Sequence, residues 1–186
     1  MTAPLDGVKV LELGTLIAGP FAARMMAEFG AEVIKVEDPD GGDPLRRWRH
    51  LHDGTSLWWA VQARNKKSVA LNLKDPRACE LARRLAGRAD IVIENFRPGV
   101  LERLGLGYPQ LAELNAATIM VRLSGYGQTG PMRDRPRPAR PGPARSPAAG
   151  RTEAGEMQCA EPIWARCRAT VSERPLHHLA QGRVSY

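Results

Sequence analysis

The chain has 186 residues and a net charge of +7, a length that suits one domain with a sizeable hydrophobic core and a tail. Its cysteines (Cys79, Cys159 and Cys167) include no tight pair, which argues against a disulfide framework and a zinc site. No signal peptide and no apolar run of membrane-spanning length is visible, so we expect a cytoplasmic protein without a membrane contact.

The positive charge is unevenly distributed. Up to Met132 there are 17 Lys and Arg residues against 15 Asp and Glu, whereas from Arg133 onward there are 10 Arg against 5 acids. Most of the net charge therefore belongs to the C-terminal part of the chain. The net charge of the whole chain is therefore poor evidence that the first 132 residues bind nucleic acid.

The first predicted unit is a strand, a helix and a second strand. Val8–Leu13 is a β-branched and aliphatic run, and Glu32–Glu37 is another. Between them, apolar side chains recur at every fourth position from Phe21 to Phe29, which predicts one face of a helix. Gly30 stands where a helix commonly ends in the left-handed conformation. Such a unit joins parallel strands by a right-handed connection.

The alternation then repeats. The pattern predicts a strand ending near Leu73, a helix that Asp75 caps, a strand at 90–96 with its apolar run at Ile91–Ile93, two short helices broken around Gly107, and a last strand at 117–127. This order predicts an open, mostly parallel, Rossmann-like α/β sheet. The segment 38–59, rich in Gly, Asp, Arg and Trp, interrupts the alternation and is expected to be either functional or disordered.

Four segments follow four of the predicted strands: "GTLIAGP", "NLKDP", "ENFRPG" and "LSGYGQTG". In open α/β sheets, ligands bind beyond the carboxyl ends of the strands. Lys74, Arg97 and Arg103 lie in or near these segments and could hold an anion, phosphate above all. None of the segments has the glycine pattern of a dinucleotide or P-loop site. The alternative is that these are solvated charges and ordinary turns.

The histidines favour no metal site. His50 and His52 stand among arginines in a loop-like segment and are interpreted as solvated. His177 and His178 are adjacent, which is not the spacing that a helical metal site uses.

The quoted segments, together with "PLDGVKVLELGTLIAGPFAARMMAEFGAEVIKVEDPDGGDPLR" and "ADIVIENFRPGVLERLGLGY", resemble class III CoA-transferases in order and spacing. That family includes formyl-CoA and carnitine CoA-transferases and α-methylacyl-CoA racemase. The resemblance covers nearly all of residues 4–131. It implies that residues 1–132 form the N-terminal CoA-binding domain, with CoA or acyl-CoA as substrate, no covalently bound cofactor, and a carboxylic acid as acceptor. Intact relatives are homodimers, and a racemase fragment is the alternative within the family.

The resemblance also implies which residues contact CoA. Some members place an Arg directly after the second strand, where this chain has Asp38. Carried over motif by motif, the contacts come from Ile17, Ala18, Leu71, Asn72, Leu73, Lys74, Asn95, Phe96, Arg97, Arg103, Leu123, Ser124, Gly125 and Tyr126.

The family's reaction uses an Asp carboxylate, which attacks the thioester and forms a mixed anhydride and then an aspartyl-CoA thioester. In relatives that Asp lies well downstream of the "SGYGQTGP" segment. This chain has no Asp after Asp134, so we assign no catalytic residue and expect the chain to be inactive alone.

Residues 133–186 depart from the family pattern and are predicted to form an irregular or disordered tail. Their Arg, Pro and Ala composition resembles a GC-rich coding sequence read out of frame, so we interpret the chain as a truncated, frameshifted transferase. The alternative is a non-catalytic α/β binding module whose natural Arg-rich tail binds nucleic acid. Trp164 and Tyr186 are the only aromatic residues of the tail, which argues against nucleic-acid binding by base stacking.

Overall fold

The computed structural model describes residues 2–135 and 168–171. The strands are β1 (Lys9–Glu12), β2 (Glu32–Glu37), β3 (Leu51–His52), β4 (Thr55–Ser56), β5 (Lys66–Ala70), β6 (Ile91–Glu94), β7 (Ile119–Ser124) and β8 (Arg168–Val171). The helices are α1 (Ala18–Glu28), α2 (Leu57–Gln62), α3 (Pro76–Ala86), α4 (Val100–Arg103) and α5 (Tyr108–Leu114), with a 3-10 turn at Pro44–Arg47.

The main sheet has the order β5-β2-β1-β6-β7-β8. Its first five strands are parallel to one another, and β8 pairs antiparallel with β7. The order reverses at β1, which lies between β2 and β6, so ligands are expected at the strand ends near this switch point. The predicted mostly parallel α/β sheet is confirmed.

Helices cover both faces of this sheet because successive strand residues point to opposite sides. On one face, Leu11 and Val92 pack in a cluster with Ala82 of α3, Leu101 of α4 and Leu111 of α5. On the other face, a second cluster joins α1 to the strands through Val10, Val33, Ile93, Ala23 and Ala27.

Helix α1 forms where the sequence predicts it, but its buried face differs from the Phe stripe. Phe21 and Phe29 are about half exposed, whereas Gly19, Ala23 and Ala27 face the sheet. Small residues let the helix axis approach the strands closely, and this requirement outweighs the burial of the larger rings. Gly30 has φ = +103° and ends the helix in the left-handed region, as predicted.

The segment between β2 and β5 is folded rather than disordered. Asp43 accepts a hydrogen bond from the Leu45 N–H at 2.8 Å and thereby caps the 3-10 turn. Ser56 caps α2 in the same way through the Trp59 N–H. The Arg46 guanidinium lies 3.9 Å from the centre of the Trp59 ring, a cation–π contact that joins the turn to α2.

Most of the predicted tail lies outside the described residues. Within 133–186 the structure describes residues 133–135 and the strand β8, which the sequence did not predict. The proposed domain boundary after residue 132 stays a prediction. In the described part of the chain, no helix has the length and apolar character needed to cross a membrane.

Candidate functional site

Four loops extend from the carboxyl ends of parallel strands and therefore lie along one edge of the sheet. They are loop 1 (residues 13–17, after β1), loop 2 (71–75, after β5), loop 3 (95–99, after β6) and loop 4 (125–130, after β7). Loops 2 and 3 follow strands that are three positions apart in the sheet, or about 14 Å at the usual strand spacing. The edge therefore suits an elongated ligand.

Loop 1 is attached to loop 3 through one amide side chain. Asn95 accepts a hydrogen bond from the Thr15 N–H at 2.7 Å and donates one to the Thr15 carbonyl at 2.8 Å. Gly14 is required beside it, since a Cβ there would lie 2.6 Å from the Asn95 Oδ1 and 3.1 Å from the Gly19 Cα. The close contact between loop 1, loop 3 and the start of α1 therefore depends on these glycines.

Beneath loop 1 lies a buried ion cluster of four side chains: Glu12, Lys35, Asp43 and Lys66. The Lys35 ammonium is 2.7 Å from Glu12 and 2.8 Å from Asp43, and it donates to the Gly14 carbonyl at 2.8 Å. Lys66 lies 2.7 Å from the other Glu12 oxygen, and burial lowers the pKa of its amine. The side chains are at most 3 % exposed, and their two positive and two negative charges balance.

A neighbouring ion pair anchors the segment after β2. Glu37 accepts two hydrogen bonds from the Arg46 guanidinium, at 2.7 and 2.9 Å, and further bonds from the Ser68 hydroxyl and the Asp43 N–H. Burial alone would raise the pKa of the Glu37 carboxyl, but these donors together lower it to about 2.

The other end of the edge contains an open cleft of about 450 Å³, here called the α4 cleft. Its lining residues are Pro98, Gly99, Glu102, Arg103, Arg122, Gln128, Arg133 and Asp134. Arg122 is bound at 2.7 Å by both Glu94 and Glu102, so its charge is already neutralised. Burial raises the pKa of the Glu94 carboxyl, which makes this partner necessary.

Three cations at the edge remain without such partners. Lys74 in loop 2, Arg97 in loop 3 and Arg103 in α4 are exposed. No ion pair within residues 2–135 involves any of them. They are therefore available to bind an anion.

The helix starts at the edge differ in how well they can receive an anion. Asp75 caps α3 by accepting from the Arg77 N–H at 2.8 Å, which places a carboxylate at that end. At α1, the N-cap residue is Ile17 and no described side chain caps the helix. The backbone N–H groups at Ala18 and Gly19 therefore have no side-chain cap at the positive end of an 11-residue helix.

The structure divides the remaining predicted contact residues into two groups. Leu71, Leu73, Phe96 and Leu123 pack against the hydrophobic clusters, so a ligand could contact them mainly through their backbone. Asn72, Ser124, Gly125 and Tyr126 lie in or beside loops 2 and 4, and Tyr126 is exposed. Which of these residues contact a ligand stays a prediction.

Sequence reasoning missed the buried ion cluster. A signal was present, because Glu12 stands in "VLEL" and Lys35 in "VIKV", where neighbouring apolar residues indicate burial on both faces. A charge in a buried strand requires a partner, but the partner's position cannot be read from such a short pattern. Among the described residues, no group of three His, Cys, Asp or Glu side chains could hold a metal ion.

Comparison with known proteins decides the family. The sequence matches CoA-transferase family III over residues 5–143. The chain belongs to CoA-transferase family III. The resemblance drawn from the loop segments is thereby confirmed for the N-terminal part of the family.

The chain is similar to curated proteins whose names contain succinyl-CoA. It is 56 % identical over 133 residues to succinyl-CoA–D-citramalate CoA-transferase of Chloroflexus aurantiacus, matching 71 % of this chain and 33 % of that protein. It is 45 % identical over 133 residues to succinyl-CoA:glutarate CoA-transferase of Homo sapiens, matching 71 % of this chain and 30 % of that protein. The chain thus spans about a third of the length of these relatives.

Solved structures with 38 % and 41 % sequence identity share the fold. A CAIB/BAIF family protein from Brucella suis is 38 % identical with a TM-score of 0.68, and the match covers 73 % of this chain and 37 % of that one. The protein Rv3272 from Mycobacterium tuberculosis is 41 % identical with a TM-score of 0.67, with the same coverage of 73 % and 37 %.

Proposed function

We propose that the strand-end edge binds the CoA part of an acyl-CoA thioester, and that residues 1–132 act as the CoA-binding domain. The whole protein to which this domain belongs transfers CoA from an acyl-CoA to a carboxylic acid. Succinyl-CoA is the proposed donor, because the names of the similar Chloroflexus and human proteins contain it.

One observation carries this proposal: three exposed cations without an ion-pair partner among the described residues, Lys74, Arg97 and Arg103, lie along one edge of the sheet. CoA carries its negative charge on phosphates, and an Arg guanidinium can bind a phosphate through two parallel hydrogen bonds. Since Lys74 and Arg97 follow strands about 14 Å apart, they fit an elongated molecule with separated anionic groups.

The start of α1 supplies the second type of donor. Its N–H groups at Ala18 and Gly19 have no side-chain cap, and α1 follows the central strand β1. Exposed N–H groups at a helix start bind phosphate or other anions well. We therefore place the Ile17–Ala18 turn between the cations of loops 2 and 3 in the proposed site.

These 186 residues are proposed to bind CoA without transferring it. The family's reaction requires a carboxylate that accepts the acyl group, and we assign that role to no residue here. The Arg-rich composition after residue 135 remains interpreted as an out-of-frame tail, and nucleic acid is not among the proposed partners. Incubation with succinyl-CoA followed by hydroxylamine should give no protein hydroxamate; its formation would show a working nucleophile.

Calorimetric titration with CoA tests the binding proposal. Each charge-assisted phosphate contact contributes about 1.5–3 kcal/mol, so Arg103→Ala should weaken CoA affinity at least tenfold. Arg88→Ala is the matched control, because Arg88 is exposed in the connection from α3 to β6, at the opposite edge of the sheet. Pantetheine, which lacks the phosphates, should bind far more weakly than CoA. Equal affinity for pantetheine and CoA would show that the phosphates of CoA contribute nothing to binding.

A further inference from the structure

The backbone of loop 1 is held in an unfavourable conformation. Leu16 has φ = +64°, in the left-handed region where residues other than Gly, Asn and Asp are uncommon. Its side chain is 38 % exposed, so the hydrophobic core does not hold it there. Such a conformation persists where hydrogen bonds or packing around it over-determine the backbone.

Asp43 provides that constraint from 27 residues further along the chain. Its carboxylate oxygens lie 3.1 and 3.2 Å from the Leu16 N–H, which donates to them. The carboxylate is itself fixed by the Lys35 ammonium at 2.8 Å and by the Leu45 N–H at 2.8 Å. Because Asp43 is buried, water does not compete for these bonds.

The constraint acts on the turn that leads into α1. Lys35 holds the Gly14 carbonyl and Asn95 holds both backbone groups of Thr15, so every residue of loop 1 from 14 to 16 has a partner outside the loop. Ile17 and Ala18 follow directly. Their orientation, and that of the uncapped N–H groups of α1, depends on the Leu16 conformation.

We propose that Asp43 is a positioning residue for CoA binding. It holds Leu16 in the left-handed conformation, and Leu16 in turn aims the start of α1 at the ligand. The inference rests on the proposed function, which supplies CoA as the ligand of this turn. Asp43 touches no ligand in this account and acts through the loop 1 backbone.

A pair of substitutions at Leu16 tests the backbone requirement while leaving the buried ion cluster intact. Leu16→Pro removes the N–H that Asp43 accepts and fixes φ near −65°. Leu16→Ala removes the exposed side chain and keeps the N–H. Calorimetry should show at least tenfold weaker CoA binding for Leu16→Pro than for Leu16→Ala. Equal affinity of the two variants would overturn the proposal.

A second pair separates positioning from stability. Asp43→Asn and Glu12→Gln each remove one negative charge from the same buried cluster, so both should lower the unfolding temperature. Only Asp43 contacts the Leu16 N–H. Asp43→Asn places an amide NH₂ or a single acceptor where two carboxylate oxygens stood, and CoA affinity should fall about tenfold. Glu12→Gln should stay within about threefold. A merely structural role predicts the same affinity for both variants.

Hydrogen exchange of the Leu16 amide tests the positioning role of Asp43 without depending on CoA binding. The Leu16 amide should exchange at least tenfold faster in Asp43→Asn than in Glu12→Gln, with no ligand present. If wild type does not bind CoA, the proposed function fails, and faster Leu16 exchange still supports the positioning of loop 1. If wild type binds CoA and Asp43→Asn shows unchanged affinity and exchange, the inference fails while the proposed function stands.

Discussion

The two ends of the strand-end edge use cationic side chains in opposite ways. In the buried ion cluster, Lys35 and Lys66 are almost fully buried and each has a carboxylate within 2.8 Å. At the α4 cleft, Arg103 is exposed and has no ion pair among the described residues. Burial makes a charge costly unless it is paired, whereas an exposed unpaired charge remains available to a ligand. Pairing, rather than charge alone, separates the scaffold from the proposed site.

Removing a cation from the buried cluster should have the largest effect on stability. Lys35→Met leaves Glu12 and Asp43 with one lysine between them, and breaking such a pair costs about 3–5 kcal/mol. Lys67→Met is the matched control, because Lys67 is 72 % exposed on the neighbouring strand and its pair with Glu32 should contribute less than about 1 kcal/mol. Urea unfolding measures both. An equal loss of unfolding free energy in the two variants would contradict the claim that the buried pair contributes more stability than the exposed pair.

Lowering the pH should remove a stabilising contribution of Glu37 that is similar in size to the loss expected for Lys35→Met. Its folded pKa is about 2, below the ordinary value of 4.5, so its stabilisation is present above pH 4.5 and is lost as the pH falls toward 2. The shift corresponds to about 3 kcal/mol. The difference in unfolding free energy between wild type and Glu37→Gln should therefore be constant above pH 5 and shrink between pH 4.5 and pH 2. A difference that does not change over this interval would contradict the assignment.

Breaking the Arg122 bridge should affect the cleft in two ways. Arg122→Gln leaves the buried Glu94 carboxyl without its cation and should cost about 2–3 kcal/mol of stability. It also frees Glu102, whose negative charge then lies beside Arg103 in the cleft and competes with an anionic ligand. CoA affinity should fall several-fold at a temperature where the variant is folded. Calorimetry checks this, and tighter binding would contradict it.

Added salt should have the smallest effect of these changes, and it should weaken CoA binding more than it weakens the buried ion cluster. Raising the ionic strength from about 0.05 to 0.5 M shortens the screening length to a few ångströms and should weaken CoA binding several-fold. The stability difference between wild type and Lys35→Met should change much less, since buried pairs are screened little. The same buffers serve for calorimetry and for urea unfolding. Salt-independent CoA binding would argue against exposed phosphate contacts.

Local sequence rules predicted much of the fold. The alternation of strands and helices predicted the parallel sheet. Asp75 predicted the start of α3, and Gly30 predicted the end of α1. Each of these depends on residues within a few positions of one another. The Phe stripe of α1 was ambiguous, because periodicity identifies a face but not which face meets the sheet.

The site was only partly predictable for a physical reason. Residues at strand ends were found because parallel topology places them together without any knowledge of side chains. The buried ion cluster was missed, since Glu12 and Lys66 are 54 positions apart and meet only after β1, β2 and β5 are assembled. The role of Asp43 was hidden for the same reason, because its partner Leu16 precedes it by an α-helix and a strand.

We propose that four loops from separate strands form one CoA site. Hydrogen exchange with and without saturating CoA tests it most directly. With a single site, bound CoA should slow exchange together in residues 14–19, 71–75, 95–103 and 123–127, with no change in α5 or at the opposite edge of the sheet. Protection confined to one loop, or protection outside this edge, would contradict the single site. No change anywhere, together with no heat of binding, would show that the chain does not bind CoA.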